Sequence, residues 1–342
     1  MNNLKQVRGV NFGGWLVLER WMSRELFEGV QGNDETVFSL QKPSAEAFLH
    51  HHWNTFITFD DFKWVADHKV NLIRLPFPWW VFGDVQPYFS ALKWLDQAMD
   101  WANEVGVKVL LDLHTAPGCQ NGFDNGGIEG VCTWHHDPSN IETTIQILEK
   151  IAHRYKDHPA LWGIEALNEP RWDIPIETIQ SFYLETHKRL RKILSKEHTL
   201  VFHDAFRNKE WESFFTNNPL ENVVLDLHLY QCFDEKFNTA DIYFNLNYAL
   251  NEQVEVIDRV SKHVRCIVGE WSLGLHPHNF EGMDAFNQLL ALRSFASTQL
   301  MAFERGYGWV FWNYKIGSGS TNWNFKKLVE TGVLPHDYSL ET

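Results

Sequence analysis

No apolar run in the 342-residue chain approaches the ~20 residues that a membrane-spanning helix needs, so no span is expected. The four cysteines, Cys119, Cys132, Cys232 and Cys266, form no CxxC pair, which removes the usual zinc and redox spacings. Cys119 and Cys132 fall in one loop and could bridge, with free thiols as the default. Positive charge is short: 30 Lys and Arg stand against 44 Asp and Glu, a net charge of −14, which argues against nucleic acid as a partner. No Pro/Ser/Gly-rich linker, low-complexity segment or repeat divides the chain, so one catalytic domain over 1–342 is expected. Residues 1–6 lack a positive n-region leading into an apolar h-region, so no secretory signal is expected from them, and the compartment stays open.

Aromatic residues, by contrast, are plentiful. The 16 Trp and the 15% share of Phe, Trp and Tyr suit stacking on the flat faces of sugar rings, and they fill large cores equally well. Together with the acidic balance, they fit a neutral substrate, or one that becomes cationic as it reacts.

Short apolar stretches alternate with longer amphipathic ones. Eight strands are predicted: VRGVNF (7–12), NLIRLPF (71–77), KVLLDLH (108–114), LWGIEAL (161–167), HTLVFHD (198–204), VVLDLHLY (223–230), RCIVGEWS (265–272) and YGWVFWNY (307–314). Helical periodicity fills intervals at 90–106, 141–156, 176–194 and 286–303, the first closing on Gly106 as a C-cap. Strands that read as buried on both faces and alternate with helices predict an α/β fold, a single (β/α)8 TIM barrel. A doubly wound open sheet is the alternative, but no Gly-rich phosphate loop follows the first strand.

In such barrels the chemistry sits at the carboxyl ends of the strands. Those ends are polar here: Asn11, Arg74, His114, Asn168, Glu169, Asp204, His228, Tyr230, Glu270 and Trp312. Stability alone gives a barrel no reason to gather charge and imidazole at one rim. Glu169, ending the fourth strand, and Glu270, near the end of the seventh, can face a shared cleft. Paired carboxylates flanking a bond are what acid-assisted glycoside cleavage requires. Arg74 is expected beside Glu270, holding it ionised, with Tyr230 donating to the same carboxylate. Glu169, at the end of an apolar strand, is expected to have the higher pKa, as a proton donor needs.

Histidines at 50–52 and 135–136 raise a metal-enzyme alternative. Adjacent histidines point apart and no HExxH is present, so no metal and no cofactor are expected, and a solvated loop is the simpler reading of these runs. A non-catalytic sugar-binding barrel is a further alternative, against which the presence of both carboxylates argues.

Six stretches, NLIRLPF, LDLHTAPG, ALNEP, LHLYQ, IVGEWS and GWVFWNYK, in that order, resemble the motifs of the family 5 glycoside hydrolases, which are retaining (β/α)8 enzymes. The resemblance implies Glu169 as acid/base, Glu270 as nucleophile, Asn168 as holder of the sugar's 2-hydroxyl and Trp312 as a platform under that sugar. Arg74, His114, His228 and Tyr230 match the remaining site positions. A narrower likeness, from RGVNFGGWLVLE and DLHTAPGCQNGFDNGG to NWNFKKLVETGVLP, runs from about Arg8 to Pro335 and is to the exo-β-1,3-glucanases of fungal cell walls. It implies that Glu19, Asp124 and Asn125 close the pocket around the non-reducing end, and that Phe123 and Phe233 clamp the following sugar. The chain departs from that group at Arg20, where the fungal enzymes usually have Pro, and at Cys119, which replaces a Ser. The implied activity is release of glucose from β-1,3-glucans with retention, by a protein expected to act as a monomer on a β-glucan or β-glucoside. Within the family, a β-glucosidase on steryl, lipid-linked or other small glucosides and an endo-β-1,4-glucanase are the alternatives.

Overall fold

The structure, a computed structural model, describes residues 4–340. Its strands are β1 (Val7–Asn11), β2 (Leu72–Phe77), β3 (Lys108–Leu113), β4 (Leu161–Glu165), β5 (Thr199–His203), β6 (Val223–His228), β7 (Arg265–Trp271) and β8 (Gly308–Phe311). All pair in parallel in chain order, and β1 pairs with both β2 and β8, closing the predicted barrel. Several strands stop earlier than their sequence patterns suggest. Asn168, Glu169, Tyr230 and Trp312 therefore stand in loops just beyond the sheet, not at strand ends.

Helices clothe the outside. The helix Leu92–Val105 buries Trp94, Leu95, Ala98, Met99 and Ala102 against the sheet and ends on Gly106 at φ 78°, the left-handed cap its sequence predicts. His50, His51 and His52 lie within the helix Ala45–Thr55 and not in a solvated loop. His52 turns inward and bonds the Gly14 carbonyl at 2.8 Å, and burial pulls its pKa down to about 4. All four cysteines are free thiols. Among the described residues no helix is long and apolar enough to cross a membrane.

The barrel interior explains the polar rim. One residue from every strand, Val7, Leu72, Leu110, Trp162, Val201, Val224, Ile267 and Val310, joins a separate buried cluster that floors the barrel. Side chains alternate faces along a strand, so the residue two positions on looks into the barrel one layer higher. In β2, β3, β5 and β6 those residues are Arg74, Asp112, His203 and Asp226, all buried. Two positions further stand His114, just past the end of β3, and His228, the last residue of β6. The alternation thus stacks a charged layer directly on an apolar one.

Outside this layer, Glu35 braces the segment after β1. Its carboxylate accepts from Leu18 N at 2.9 Å and Trp80 Nε1 at 3.2 Å, and burial pushes its pKa up to about 7. The folded chain therefore holds this proton more tightly than the unfolded chain, where glutamate titrates near ~4.3. The stabilisation is full below the unfolded value and is lost as pH rises towards 7, at up to about 1.4 kcal/mol per pH unit for this group. Asp204, also pushed by burial to about 7, adds a slope of the same sign. Glu35→Gln is expected to flatten the pH dependence between 5 and 7, read as urea midpoints at each pH. A slope identical to that of the parent would contradict the account.

Candidate active site

Glu169 and Glu270 meet at one imidazole. His228 Nδ1 lies 2.7 Å from Glu169 Oε1 and 3.5 Å from Glu270 Oε2. Those two contacts together keep the facing oxygens within about 6.2 Å, below the ~6.5–9.5 Å between the carboxyl groups of inverting sites and compatible with the ~5–5.5 Å of retaining ones. Glu270 also accepts from Arg74 Nη1 at 2.9 Å and from Tyr230 Oη at 3.0 Å, as the sequence predicts for both donors.

Local backbone aims these groups. Glu270 follows Gly269, whose N–H donates to Asp226 Oδ1 at 2.6 Å. A Cβ at Gly269 would come within 1.9 Å of Asp226 Oδ2, so only glycine permits the approach of β7 to β6 there. Register irregularities flank the same place in both pairings of β7. Glu169 holds a left-handed backbone, φ 45°, which costs a non-glycine residue on the order of 1–3 kcal/mol and is tolerated mainly where the surroundings enforce it. The loop around it is pinned by Gln120, whose Nε2 donates to the carbonyls of His114 and Asn168, each at 2.9 Å.

The electrostatics correct one expectation. Burial pushes Glu169 up, but His228, which donates to it and carries charge, and the Asn125 amide at 3.0 Å outweigh burial and leave it below the usual carboxylate range. Glu270 lies above that range, because burial and the nearby Glu169 charge exceed the pull of His228 and Arg74. Burial disfavours charge on His228 too, yet Glu270, Asp226 and Glu169 together raise its pKa well above normal. In the free enzyme the order of the two carboxyls is thus the reverse of that read from the sequence. The apolar strand leading to Glu169 does not alone set its carboxylate's surroundings; His228, two strands away on β6, outweighs it.

Arg74 ties the layer together. All five of its N–H groups are used: Nε and Nη2 on Glu165 (2.7 and 3.1 Å), Nη1 on Asn11 and Glu270 (both 2.9 Å), and Nη2 on Asn168 (2.8 Å). Asp112 lies 3.2 Å from the same guanidinium and holds His114 Nδ1 at 2.6 Å. Asn168, with its oxygen fixed by Arg74, presents its amide nitrogen at 3.5 Å from His114 Nε2.

Trp312 stacks on His114 at 5.5 Å with only 5° between the rings. A Cβ on Gly13 would fall 2.4 Å from that indole, so glycine makes room for the platform. On the far side, Glu19 Oε2 accepts from Trp21 Nε1 at 2.7 Å, while Oε1 is buried without a hydrogen-bond partner among the described residues. Burial first, and then Asp124, raise the Glu19 pKa well above normal, and burial raises that of Asp124 as well. Asn125 reaches the acid/base candidate. Asn121 fixes its oxygen at 2.9 Å, which turns its amino group onto Glu169. Phe123 packs on Trp172 (6.1 Å), whereas Phe233 packs on Tyr230 (5.2 Å) and Trp323 (6.1 Å). Among the described residues no ring contact joins Phe123 to Phe233 in a closed clamp. Asp204 lies behind the site; its carboxylate caps Phe206 N at 2.8 Å and touches neither glutamate through a hydrogen bond.

Two clusters have metal-ligand spacing among the described residues, Glu169–His203–His228 and Glu165–Asp226–His228, and neither includes the histidines at 50–52 or 135–136. His203 Nδ1 accepts from Ala205 N at 2.9 Å, so in the neutral ring Nε2 carries the proton and has no lone pair for a metal. In the second cluster the Arg74 guanidinium already neutralises Glu165 and sits 3.9 Å from Asp226. The donor sets do not fit a bound cation.

Comparison with known proteins agrees with this architecture. The family model described as Cellulase (glycosyl hydrolase family 5) matches residues 34–318. A protein of Emericella nidulans named "Probable glucan 1,3-beta-glucosidase A" is 36% identical, over 97% of this chain and 90% of its own. "Glucan 1,3-beta-glucosidase 1" of Schizosaccharomyces pombe is 32% identical, over 98% and 89%. The crystal structure of rutinosidase from Aspergillus niger superposes with a TM-score of 0.82 at 18% identity, covering 97% of this chain and 98% of that one, which speaks to the fold alone. The chain belongs to glycosyl hydrolase family 5.

Proposed function

We propose that the protein removes glucose from the non-reducing ends of β-1,3-glucans by double displacement. The observation that carries this reading is the convergence of Glu169 and Glu270 on His228, with Arg74 and Tyr230 aimed at Glu270. Glu270 attacks the anomeric carbon, Glu169 protonates the departing oxygen, and water activated by Glu169 then hydrolyses the glycosyl-enzyme. The proton is at hand, since His228 Nδ1 lies 2.7 Å from Glu169 Oε1. A sugar filling the pocket excludes water, which favours neutral imidazole and carboxylic acid over the buried ion pair. The three groups thus titrate as a set, with no fixed proton on any one of them.

The names of the relatives support the β-1,3 linkage, and the unpartnered Glu19 Oε1 supports an end wall that receives sugar hydroxyls. Digestion of laminarin tests the reading. Glucose is expected as the sole early product, in its β form by NMR; a ladder of oligomers or early α-glucose would refute exo-action or retention respectively. Small apolar β-glucosides are a second reading, favoured by the aromatic surface at Phe233 and Trp172, 74% and 52% exposed. A much higher kcat/KM on aryl or steryl glucosides than on laminaribiose would select it.

A further inference from the structure

A further space borders the end wall at Asp124. A cavity of about 470 Å³ is lined by Arg20, Trp21, Arg24, Asn33 and Asp124. That volume falls within the roughly 300–1,000 Å³ of small-molecule pockets. Neither Glu169 nor Glu270 lines it. It adjoins the sugar pocket all the same, because Trp21 is the residue that bonds Glu19 and Asp124 is the carboxyl that perturbs it.

The lining is mixed in character. Arg20 is anchored on the carbonyls of Gly32 (2.9 Å) and Val30 (3.3 Å), and Asn33 is anchored on Glu129 (2.8 Å). Arg24 is exposed, and its guanidinium has no partner among the described residues; its backbone alone is engaged, the N–H by Ser318 and the carbonyl by Phe27 N. Two guanidinium groups are balanced by Asp124 and the nearby Glu129, so the cavity is not a simple anion trap. Planar guanidinium, amide and carboxyl groups beside an indole match the vicinal hydroxyls and apolar face of a pyranose.

We propose that this cavity is a second sugar subsite, which takes a glycosyl branch carried on the terminal glucose, so that a branched disaccharide leaves intact. The chemistry is unchanged: the β-glucosidic bond at the Glu169–Glu270 pair breaks, water adds to the anomeric carbon, and the branch linkage is not touched. The inference rests on the exo-acting glucosidase reading above.

The test compares 4-nitrophenyl β-glucoside with 4-nitrophenyl β-maltoside and β-isomaltoside, whose inner glucose carries an α-linked glucose on O4 or O6. An enzyme that cleaves β-glucosides cannot trim an α-linked cap, so release of nitrophenol requires the capped sugar to seat whole. At least one capped substrate is expected to give nitrophenol and intact disaccharide. Arg24→Ala is expected to lower its kcat/KM by about 10-fold, equivalent to ~1.4 kcal/mol, with the uncapped glucoside changed by less than about twofold. Arg24→Trp, which fills the cavity, is expected to lose more. Capped substrates left inert while the uncapped glucoside is cleaved would overturn the subsite, as would equal losses on both substrates. A preference for 4-nitrophenyl 6-phospho-β-glucoside over both capped compounds would overturn it in favour of an anion site. Failure to cleave even the uncapped glucoside would strike the underlying glucosidase reading instead.

Discussion

Glu270→Gln is expected to reduce laminarin hydrolysis to background, a loss of at least about 10⁴-fold in kcat. The amide is nearly isosteric, its oxygen can still accept from Arg74 and its amino group can donate to the Tyr230 hydroxyl oxygen, so folding should be little changed. What it lacks is the nucleophilic charge, and neither an activated leaving group nor an added anion restores attack from that face. Glu169→Gln behaves differently. Loss of the proton donor costs about 10²–10⁴-fold on natural glucans, but substrates with good leaving groups form the glycosyl-enzyme without an acid. Azide, which needs no general base, should then rescue turnover and yield β-glucosyl azide. The assignment falls if azide rescues the residue-270 variant with retention, or if either variant keeps full activity.

The second large effect concerns Arg74. Arg74→Met removes a guanidinium shared by Glu165, Asp112 and Glu270, leaving buried carboxylates short of positive charge, and is expected to cost about 3–5 kcal/mol in denaturant titration. Arg74→Lys keeps the charge but has three donors where five acceptors wait, so it should recover much of the stability and little of the activity. In a double variant, Glu165→Gln should restore part of what Arg74→Met loses, with a coupling of about 0.5–3 kcal/mol. Purely additive losses would mean that the two side chains are not the pair their 2.7 Å contact indicates.

The barrel was legible in the sequence because strand and helix periodicities differ and alternate cleanly, and the rim residues followed from knowing which strand ends carry chemistry. The layer beneath was legible but unread. LDLH occurs twice, at 111–114 and 225–228, and period-two alternation places Asp112 with His114, and Asp226 with His228, on one inward face. Glu165, Gln120 and Trp323 carry no such local signal; their roles arise from strands and loops distant in sequence. The same limit explains the reversed order of the two carboxyls. Composition along β4 forecasts desolvation, but which imidazole arrives from two strands away is a property of closure and register.

The apolar floor has a kinetic meaning. Eight side chains, one per strand, seal the barrel beneath the charged layer, so the mouth is both entrance and exit. If the aglycone side holds the remaining glucan, the freed glucose is trapped behind it until that chain departs. Such an enzyme works distributively, dissociating from its polymer after every cut, and pays attention to chain ends rather than to chain length. Its own product, waiting at the mouth, then competes with the next chain end for entry.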